Sequence, residues 1–443
     1  MRGLHLALAA LLALLAFPAV AAAGIRQAPP VVGQVSEYEL GPGTRPQAVV
    51  TGPDGNLWFA GIRNVSGGAG DVLGRVTPSG KVTEYVVDTH TAIVGLSDIA
   101  LGPDGNLWFT EGGRPKVGRI TTSGQIAEFD LPQGAGNATA IAAGPDGALW
   151  FTESGVARVG RITTSGVVTE FPLTGARESW GGGIAAGPDG ALWVTLPGGG
   201  AIARIGSDGA EADFHLPEEA AAGYPDDIVV GPDGALWFGK ATSATLGRIT
   251  TRGEITQFPL AQGRTISALT SGPFGDLWYA LGGGRIGWVI PGVAQGVTAC
   301  ISRCSSPVTD LTEGPEGRLW FVAGVEGTSF YNAPGTIGTY APPPLEVRVV
   351  GSGSVRGRAA YVPLSCRWTP AGRRCKGSLR LTGGGRVVRK RFNLRLGDKA
   401  RIAVRLPRRL TNRLSRRGRV ALQATTTVAG GRGDTAQIVL RRH

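Results

Sequence analysis

Short apolar segments alternate with glycine-containing turns along most of this chain. In one unit, the apolar segment Ala140 to Ala143 leads into Gly-Pro-Asp-Gly, and the segments LWFTE, VGRIT and VTEFPL follow. Segments of four to six residues have the length of β-strands rather than of helices. Proline presets the first corner of the turn, and the final glycine tolerates a positive φ. The unit therefore predicts four short strands.

This unit recurs seven times. Successive copies of its Leu-Trp dipeptide begin 41 to 50 residues apart. The leucines that mark the copies are Leu57, Leu107, Leu149, Leu192, Leu236, Leu277 and Leu319. Four strands in a repeat of this length are typical of one β-propeller blade. The predicted fold is all-β, with a seven-bladed β-propeller over residues 33–341.

The repeated tryptophans and the chain ends predict how the ring is built. We interpret the tryptophans as packing between blades rather than as ligand contacts, because a large buried aromatic at each interface contributes strongly to stability. The fourth-strand pattern first occurs at Val35 to Leu40, before any complete unit, whereas the last third strand, Ile337 to Tyr340, has no fourth strand after it. We therefore expect the N-terminal strand to complete the last blade.

The N-terminus has the features of an export signal. Arg2 precedes an apolar run from Leu4 to Phe17, and small residues follow at positions 19–23. A membrane anchor is the alternative, but the run is short for a bilayer span of about 20 residues. We predict a signal peptide over residues 1–23, a mature chain that begins near Gly24 or Ile25, and a secreted or envelope-associated protein.

The composition changes after residue 341. Residues 342–344 are three prolines, which predict a stiff linker. From residue 345 onward the chain has 25 basic and 3 acidic residues, whereas the part before it has 20 basic and 30 acidic residues. The overall charge of +12 therefore averages two oppositely charged bodies. For residues 345–443 the apolar pattern predicts a small immunoglobulin-like β-sandwich.

The basic domain is expected to attract anionic polymers. For an exported protein these are polymers or lipid headgroups of the cell envelope. The alternative is that the domain docks on its own acidic propeller. Nucleic acid is a poor match, because aromatic residues are not interleaved with the basic ones. We expect a monomer.

Four cysteines in an exported chain indicate disulfides. They allow three connectivities, of which we favour the two local pairs. These pairs are Cys300 with Cys304 and Cys366 with Cys375.

In a propeller, ligands meet the residues that begin inner strands and those that end second strands. In the seven repeats, the residue that begins the inner strand is, in chain order, Gln47, Ser97, Thr139, Gly182, Asp226, Ser267 and Thr309. The next residue is Ala48, Asp98, Ala140, Gly183, Asp227, Ala268 or Asp310. The second strands end at Gly61, Glu111, Glu153, Leu196, Lys240, Leu281 and Ala323. These positions define the axial face.

Several segments resemble those of the streptogramin B (virginiamycin B) lyases. They are GPDGNLWFTE (Gly102 to Glu111), VGRITTSG (Val159 to Gly166) and ITQFPL (Ile255 to Leu260), and the resemblance covers roughly residues 33–341. It implies a seven-bladed propeller that linearises a cyclic depsipeptide antibiotic by elimination at its ester linkage, with Mg²⁺ and a histidine base. The implied histidine begins an inner strand in a context similar to Pro-His-Gly-Ile.

This sequence departs from that pattern at the inner strands. It has Pro-Gln-Ala-Val at positions 46–49 and Tyr-Pro-Asp-Asp at positions 224–227. Its histidines are His5, His90, His215 and His443. None begins an inner strand, although Glu111 and Glu153 match the second-strand glutamate of the family. A positioned general base contributes about 10²–10⁴-fold to a rate, so little lyase activity is expected without one.

Carboxylates offer the remaining chemistry on the axial face. A carboxylate with a raised pKa can act as a base, and the catalytic candidates are Asp226, Asp227, Glu111 and Glu153. Asp98, Asp227 and Asp310 come from three blades and form a candidate site for Mg²⁺ or Ca²⁺. Alternatively, each acid caps a strand end or pairs with an arginine. The residues expected to contact a ligand are Gln47, Asp98, Asp226, Asp227, Lys240 and Asp310.

Three hypotheses follow. The leading one is an exported propeller that binds a small molecule or a protein on its axial face, with no cofactor and without the family's chemistry. The second is a metal-dependent carbon–oxygen lyase, or a lactone-cleaving enzyme, that linearises a cyclic ester such as a type B streptogramin. The third is a purely structural envelope protein. The missing inner-strand histidine favours binding.

Overall fold

Seven small antiparallel sheets follow one another along the chain in this computed structural model. It describes residues 26–27, 34–65, 68–90, 95–174, 181–217, 224–240, 243–260, 265–272, 276–291, 294–300, 307–315, 318–324, 335–341, 345–349, 354–356, 359–367, 375–383, 386–394, 399–408, 412, 419–428, 431–432 and 435–442. The predicted signal peptide, Cys304 and the proline linker lie outside the described residues. The predictions about them therefore stay predictions, as do both disulfide pairings.

The strands of the seven sheets are short and follow the predicted repeat. They are β1 (Arg26–Gln27), β2 (Gln34–Glu39), β3 (Thr44–Thr51), β4 (Leu57–Val65), β5 (Gly68–Val76), β6 (Val82–His90), β7 (Leu96–Leu101), β8 (Leu107–Glu111), β9 (Lys116–Ile120), β10 (Ile126–Asp130), β11 (Asn137–Ala143), β12 (Leu149–Ser154), β13 (Arg158–Ile162), β14 (Val168–Pro172), β15 (Ile184–Ala186), β16 (Leu192–Leu196), β17 (Ala201–Ile205), β18 (Glu211–His215), β19 (Pro225–Val230), β20 (Leu236–Lys240), β21 (Thr245–Ile249), β22 (Ile255–Pro259), β23 (Ile266–Ser271), β24 (Leu277–Leu281), β25 (Arg285–Ile290), β26 (Ala294–Cys300), β27 (Val308–Glu313), β28 (Leu319–Ala323) and β29 (Thr336–Ala341). A 3₁₀ turn, Pro197–Gly199, connects β16 to β17.

Each blade is a four-stranded sheet in chain order from its inner strand outward. Blades 1 to 6 are β3–β6, β7–β10, β11–β14, β15–β18, β19–β22 and β23–β26, and β1 adds to the edge of blade 6 by parallel pairing with β26. Blade 7 is β27-β28-β29-β2, so the N-terminal strand β2 completes it, as the sequence predicts. This pairing joins the two ends of the propeller by backbone hydrogen bonds.

The inner strands close into a ring. They contact one another in the cyclic order β3, β7, β11, β15, β19, β23, β27, and β27 contacts β3 again. The prediction of a seven-bladed propeller is therefore confirmed.

Each repeated tryptophan packs against the following blade. Trp108 of blade 2 is fully buried with Ile141, Leu149 and Phe151 of blade 3, and the other six tryptophans occupy equivalent places. In blades 1 to 5 the aspartate of the turn accepts a hydrogen bond from the indole N–H at 2.9–3.1 Å. The interpretation of the tryptophans as packing between blades is confirmed.

A phenylalanine on the second strand depends on a glycine opposite it on the third. A Cβ at Gly118 would lie 2.0 Å from the ring of Phe109, its cross-strand partner. Blade 4 differs at both positions, since Val194 is paired with Ala203 there. A smaller second-strand side chain leaves room for the extra methyl group, so the two positions are sterically coupled.

After the propeller, nine strands among the described residues form one connected sheet system. They are β30 (Leu345–Val349), β31 (Ser354–Arg356), β32 (Ala359–Arg367), β33 (Cys375–Gly383), β34 (Arg386–Leu394), β35 (Lys399–Arg405), β36 (Arg419–Val428), β37 (Gly431–Arg432) and β38 (Thr435–Arg442). Their order is β34-β33-β36-β38-β31-β32-β30-β37, and β35 pairs with β32. A core that includes Val362, Leu379, Phe392 and Leu422 packs inside this system. The immunoglobulin-like topology stays a prediction.

The coupling between Phe109 and Gly118 is testable by a double-mutant cycle. Gly118→Ala should lower the free energy of unfolding by about 1–3 kcal/mol, because the methyl group overlaps the Phe109 ring. Phe109→Val should also destabilise the protein, because it leaves a cavity. The double variant reproduces the blade 4 pair, so it should lose less than the sum of the single losses. Urea unfolding of the four proteins measures this, and strictly additive losses would contradict the steric argument.

Candidate functional site

Most inner strands have a break in their pairing with the second strand of the same blade. The register between inner and second strand shifts in six of the blades, for example between Leu96 and Asp98 in blade 2. A bulge of this kind disrupts the backbone ladder locally and leaves amide groups without a strand partner. Buried amide groups must then find other acceptors.

Three aspartates supply such acceptors between neighbouring blades. One Asp98 carboxylate oxygen accepts a hydrogen bond from the Ile99 N–H at 2.7 Å, and the other accepts one from the Ile141 N–H of blade 3 at 2.8 Å. The same arrangement, at 2.6–2.8 Å, links Asp227 to Ile228 and Leu269, and Asp310 to Leu311 and Val49. These aspartates therefore connect blade 2 to blade 3, blade 5 to blade 6, and blade 7 to blade 1.

The second strands contribute a further connection that the sequence analysis missed. The buried Thr110 hydroxyl accepts a hydrogen bond from the Asp98 N–H at 3.1 Å and donates one to the Thr139 carbonyl of blade 3 at 2.6 Å. Thr152 and Thr195 act in the same way at the next two interfaces. The recurrence of threonine after Leu-Trp-Phe or Leu-Trp-Val was the available signal.

The three bridging aspartates have raised pKa values. Burial raises the pKa of Asp98 to about 7 and that of Asp227 to about 6, and it raises the pKa of Asp310 well above its ordinary value. Amide hydrogen bonds oppose this effect. The charge of Asp227 adds to the rise at Asp98, and the charges of both add to the rise at Asp310, so the three carboxylates repel one another across the ring.

The residues present do not fit the metal that the family resemblance implies. Within the described part of the chain, no three His, Cys, Asp or Glu side chains are placed to hold one ion. Asp98, Asp227 and Asp310 each direct both oxygens at backbone amides, whereas Mg²⁺ requires carboxylate oxygens in a near-octahedral shell. The alternative interpretation, in which these acids cap strands, describes their geometry better.

Asp226 and Gln47 remain available to a ligand. The Asp226 backbone carbonyl accepts a hydrogen bond from the Gly183 N–H at 3.1 Å. Its half-buried carboxylate has no hydrogen-bond donor among the described residues. Burial raises the pKa of this carboxylate. The Gln47 side chain is exposed at the start of the inner strand of blade 1.

Lys240 and the two glutamates are buried at the ends of second strands. Lys240 is 1% exposed, burial lowers its pKa, and no described acid forms an ion pair with it. Glu153 is 2% exposed and accepts a hydrogen bond from the Gly136 N–H at 2.9 Å, and burial raises its pKa to about 7. Burial and the neighbouring Glu128 raise the pKa of Glu111 to about 8. Glu153 therefore caps the connection between blades 2 and 3.

No described histidine lies on an inner strand. His90 ends β6 and His215 ends β18, and both strands are the fourth of their blade. His5 and His443 lie outside the described residues. The inner-strand positions where the family resemblance implies a histidine carry the residues named above, from Gln47 to Thr309.

Comparison with known proteins agrees with the architecture. The Virginiamycin B lyase family model matches residues 34–329. A streptogramin B lyase structure is 27% identical with a TM-score of 0.61, over 70% of this chain and 97% of that one. A catalytically inactive virginiamycin B lyase from Staphylococcus aureus, with one histidine replaced by alanine and solved with quinupristin, is 30% identical with a TM-score of 0.61, over 70% and 99%.

A more distant likeness shows the fold alone. The extracellular domain of a putative one-component system from B. thetaiotaomicron is 14% identical with a TM-score of 0.53, over 93% of this chain and 58% of that one. No curated protein matches the sequence.

The raised pKa of Asp98 predicts a dependence of stability on pH. The folded protein holds the Asp98 proton more tightly than the unfolded chain, whose aspartates have a pKa of about 3.9. The contribution of Asp98 to stability is therefore fully present below about pH 4 and is lost as pH rises toward about 7. Relative to Asp98→Asn, the wild-type protein should lose about 1–4 kcal/mol of unfolding free energy across that range. Urea unfolding at constant ionic strength measures the difference.

Asp54→Asn is the matched control. Burial of Asp54 is outweighed by hydrogen bonds from Asn56 and Trp58, which leave its pKa below the ordinary value. Its contribution therefore changes only at lower pH, and the difference from wild type should be constant above pH 5 or so. A constant difference for Asp98→Asn as well would contradict the electrostatic account.

Proposed function

The chain belongs to the virginiamycin B lyase family, and we propose that its propeller is a binding scaffold that holds a small-molecule or protein ligand on the axial face without opening an ester bond. The observation that carries the proposal is that three acidic side chains of the axial face already accept hydrogen bonds from backbone amides of the propeller. Asp98, Asp227 and Asp310 bind backbone amides on both oxygens, and no inner strand begins with a histidine.

A missing base affects turnover more than binding. General bases act on the proton that moves in the transition state, so their loss lowers a rate by about 10²–10⁴-fold while ground-state contacts remain. The S. aureus lyase supports this distinction, since the variant that lacks one histidine is catalytically inactive and was solved with quinupristin. A cyclic depsipeptide of the streptogramin B class is therefore the first ligand to test.

The open groups on the face favour a ligand with a donor or a positive charge. Asp226 offers a carboxylate without a described donor, and Gln47 offers an exposed amide. The part of the chain before residue 345 has ten more acidic than basic residues, which adds a negative field around this face. Complementary charge at a half-buried site strengthens attraction, because screening by solvent is weaker there.

A metal-dependent lyase or lactone-cleaving enzyme is the second candidate. Burial raises the pKa of Asp226, which favours this candidate, because a carboxylate with a raised pKa is a stronger base. Asp227 is less suited, since both of its oxygens already accept amide hydrogen bonds. In this case Asp226→Asn should abolish turnover and leave the fold intact.

We also propose that the mature protein works outside the cytoplasm. The N-terminal sequence supports this. Among the described residues, no helix has the length and apolar character needed to span a bilayer. In a bacterial host that secretes it, the intact mass should match a chain that begins near Gly24 or Ile25. A cell-retained chain of full-length mass would contradict export.

Incubation with a type B streptogramin distinguishes the two candidates. The purified mature protein should bind the antibiotic in calorimetry and leave its mass unchanged, with and without Mg²⁺, because no inner strand begins with the family's histidine. Linearised product would contradict the scaffold proposal. An antibiotic that is neither bound nor cleaved would contradict the small-molecule form of the proposal.

Asp226→Asn tests the site in the same experiment. The variant should bind the antibiotic roughly tenfold more weakly, in line with a lost charge-assisted contact of about 1.4 kcal/mol. Asp208→Asn is the matched control, because Asp208 is an exposed aspartate in the turn before β18. Equal binding by both variants would place the ligand elsewhere.

A further inference from the structure

Outward-facing arginines lie on adjacent strands of the nine-stranded sheet system. Arg380 of β33 stands between the buried Leu379 and Leu381, so it projects from the face opposite the core. On β34, Arg391 immediately precedes the buried Phe392, and Arg389 lies two residues before Arg391. All three arginines are exposed and share the outer face.

The register places two of these arginines against each other. Arg380 and Arg389 are direct cross-strand partners in the antiparallel pair of β33 and β34. Like charges in this position destabilise a sheet, and arginine cannot relieve the repulsion by losing its proton. In the part of the chain that the structure describes, neither side chain forms an ion pair with an acid. Among the described residues, no acidic side chain offsets the charges of this pair.

A neighbouring strand extends the same surface. β35 contacts β34, and its exposed Arg401 and Arg405 alternate with Ile402 and the buried Val404. The arginine face is the set Arg380, Arg389, Arg391, Arg401 and Arg405. Residues 345–443 contain only three acidic residues, so the charge of this face has little compensation from its own domain.

We propose that the arginine face binds a linear polymer that carries phosphate groups. A planar guanidinium donates two parallel hydrogen bonds to a phosphate, and a phosphate between Arg380 and Arg389 would turn their repulsion into two attractions. Arginines two residues apart on one strand are separated by about 6.8 Å, so a repeating anion can meet them in succession. This site concerns the second sheet system and does not rest on the proposed function of the propeller.

Long-chain polyphosphate is the probe. The full mature chain should bind it, and Arg380→Gln/Arg389→Gln should weaken binding at least tenfold. The slope of log K against log salt should also fall by about 1.4, because two contacts with a flexible polyanion are lost. The control Lys81→Gln/Arg252→Gln removes the same charge from exposed positions in the propeller and should change affinity less than twofold.

Two further measurements separate this site from a general charge effect. Arg380→Lys/Arg389→Lys should keep the salt slope and lose affinity, because lysine retains the charge without the bidentate geometry. Thermal unfolding should show the glutamine variant to be at least as stable as wild type, since it relieves a like-charge pair. A variant that binds weakly because it is unfolded would fail this check, and Arg391→Gln alone then serves as the second test.

The following results would overturn the proposal. Equal losses in the site variant and the propeller control would show that only net charge matters. Polyglutamate bound as tightly as polyphosphate would exclude recognition of phosphate. Binding to vesicles of phosphatidylglycerol without binding to polyphosphate would assign the face to a membrane, and no binding to any probe would leave it to the acidic propeller of the same chain.

Discussion

Closure of the inner ring is the constraint on which the rest of the propeller depends. Seven inner strands meet around one axis, and register shifts on six of them leave amide groups that need acceptors. Asp98 and Thr110 provide these contacts between blades 2 and 3, and related side chains do so at other interfaces. Side-chain hydrogen bonds to backbone therefore connect neighbouring blades where strand pairing cannot.

A carboxylate that closes the ring through hydrogen bonds is no longer open to a substrate. Both oxygens of Asp227 accept amide hydrogen bonds, so one of the carboxylates that the sequence offers as catalytic candidates is part of the scaffold. The backbone carbonyl of its neighbour Asp226 accepts a hydrogen bond from Gly183 of the preceding blade, and the Asp226 carboxylate accepts none from a described residue. The two residues are adjacent in the chain, yet only one is available to a ligand.

The repeat also shows which positions are coupled by packing. Tryptophan fills the space between blades, and the turn aspartate satisfies its indole N–H, which is why the pair recurs in blades 1 to 5. The exchange of Phe and Gly for Val194 and Ala203 in blade 4 keeps the local volume nearly constant. The residues that recur along the sequence are thus those in steric contact within and between blades. The residues that differ from blade to blade lie on the axial face.

The sequence by itself determined the architecture, because strand length, turn residues and the period of the Leu-Trp repeat are local properties. It also determined that no inner strand begins with a histidine, and it separated a basic segment from an acidic one. Only the tertiary structure decided the roles of the acids. Whether Asp98 binds a metal or an amide depends on Ile141, which is 43 residues away, and the opposition of Arg380 and Arg389 depends on strand register. Contacts of this kind are long-range, so no local pattern in the chain specifies them.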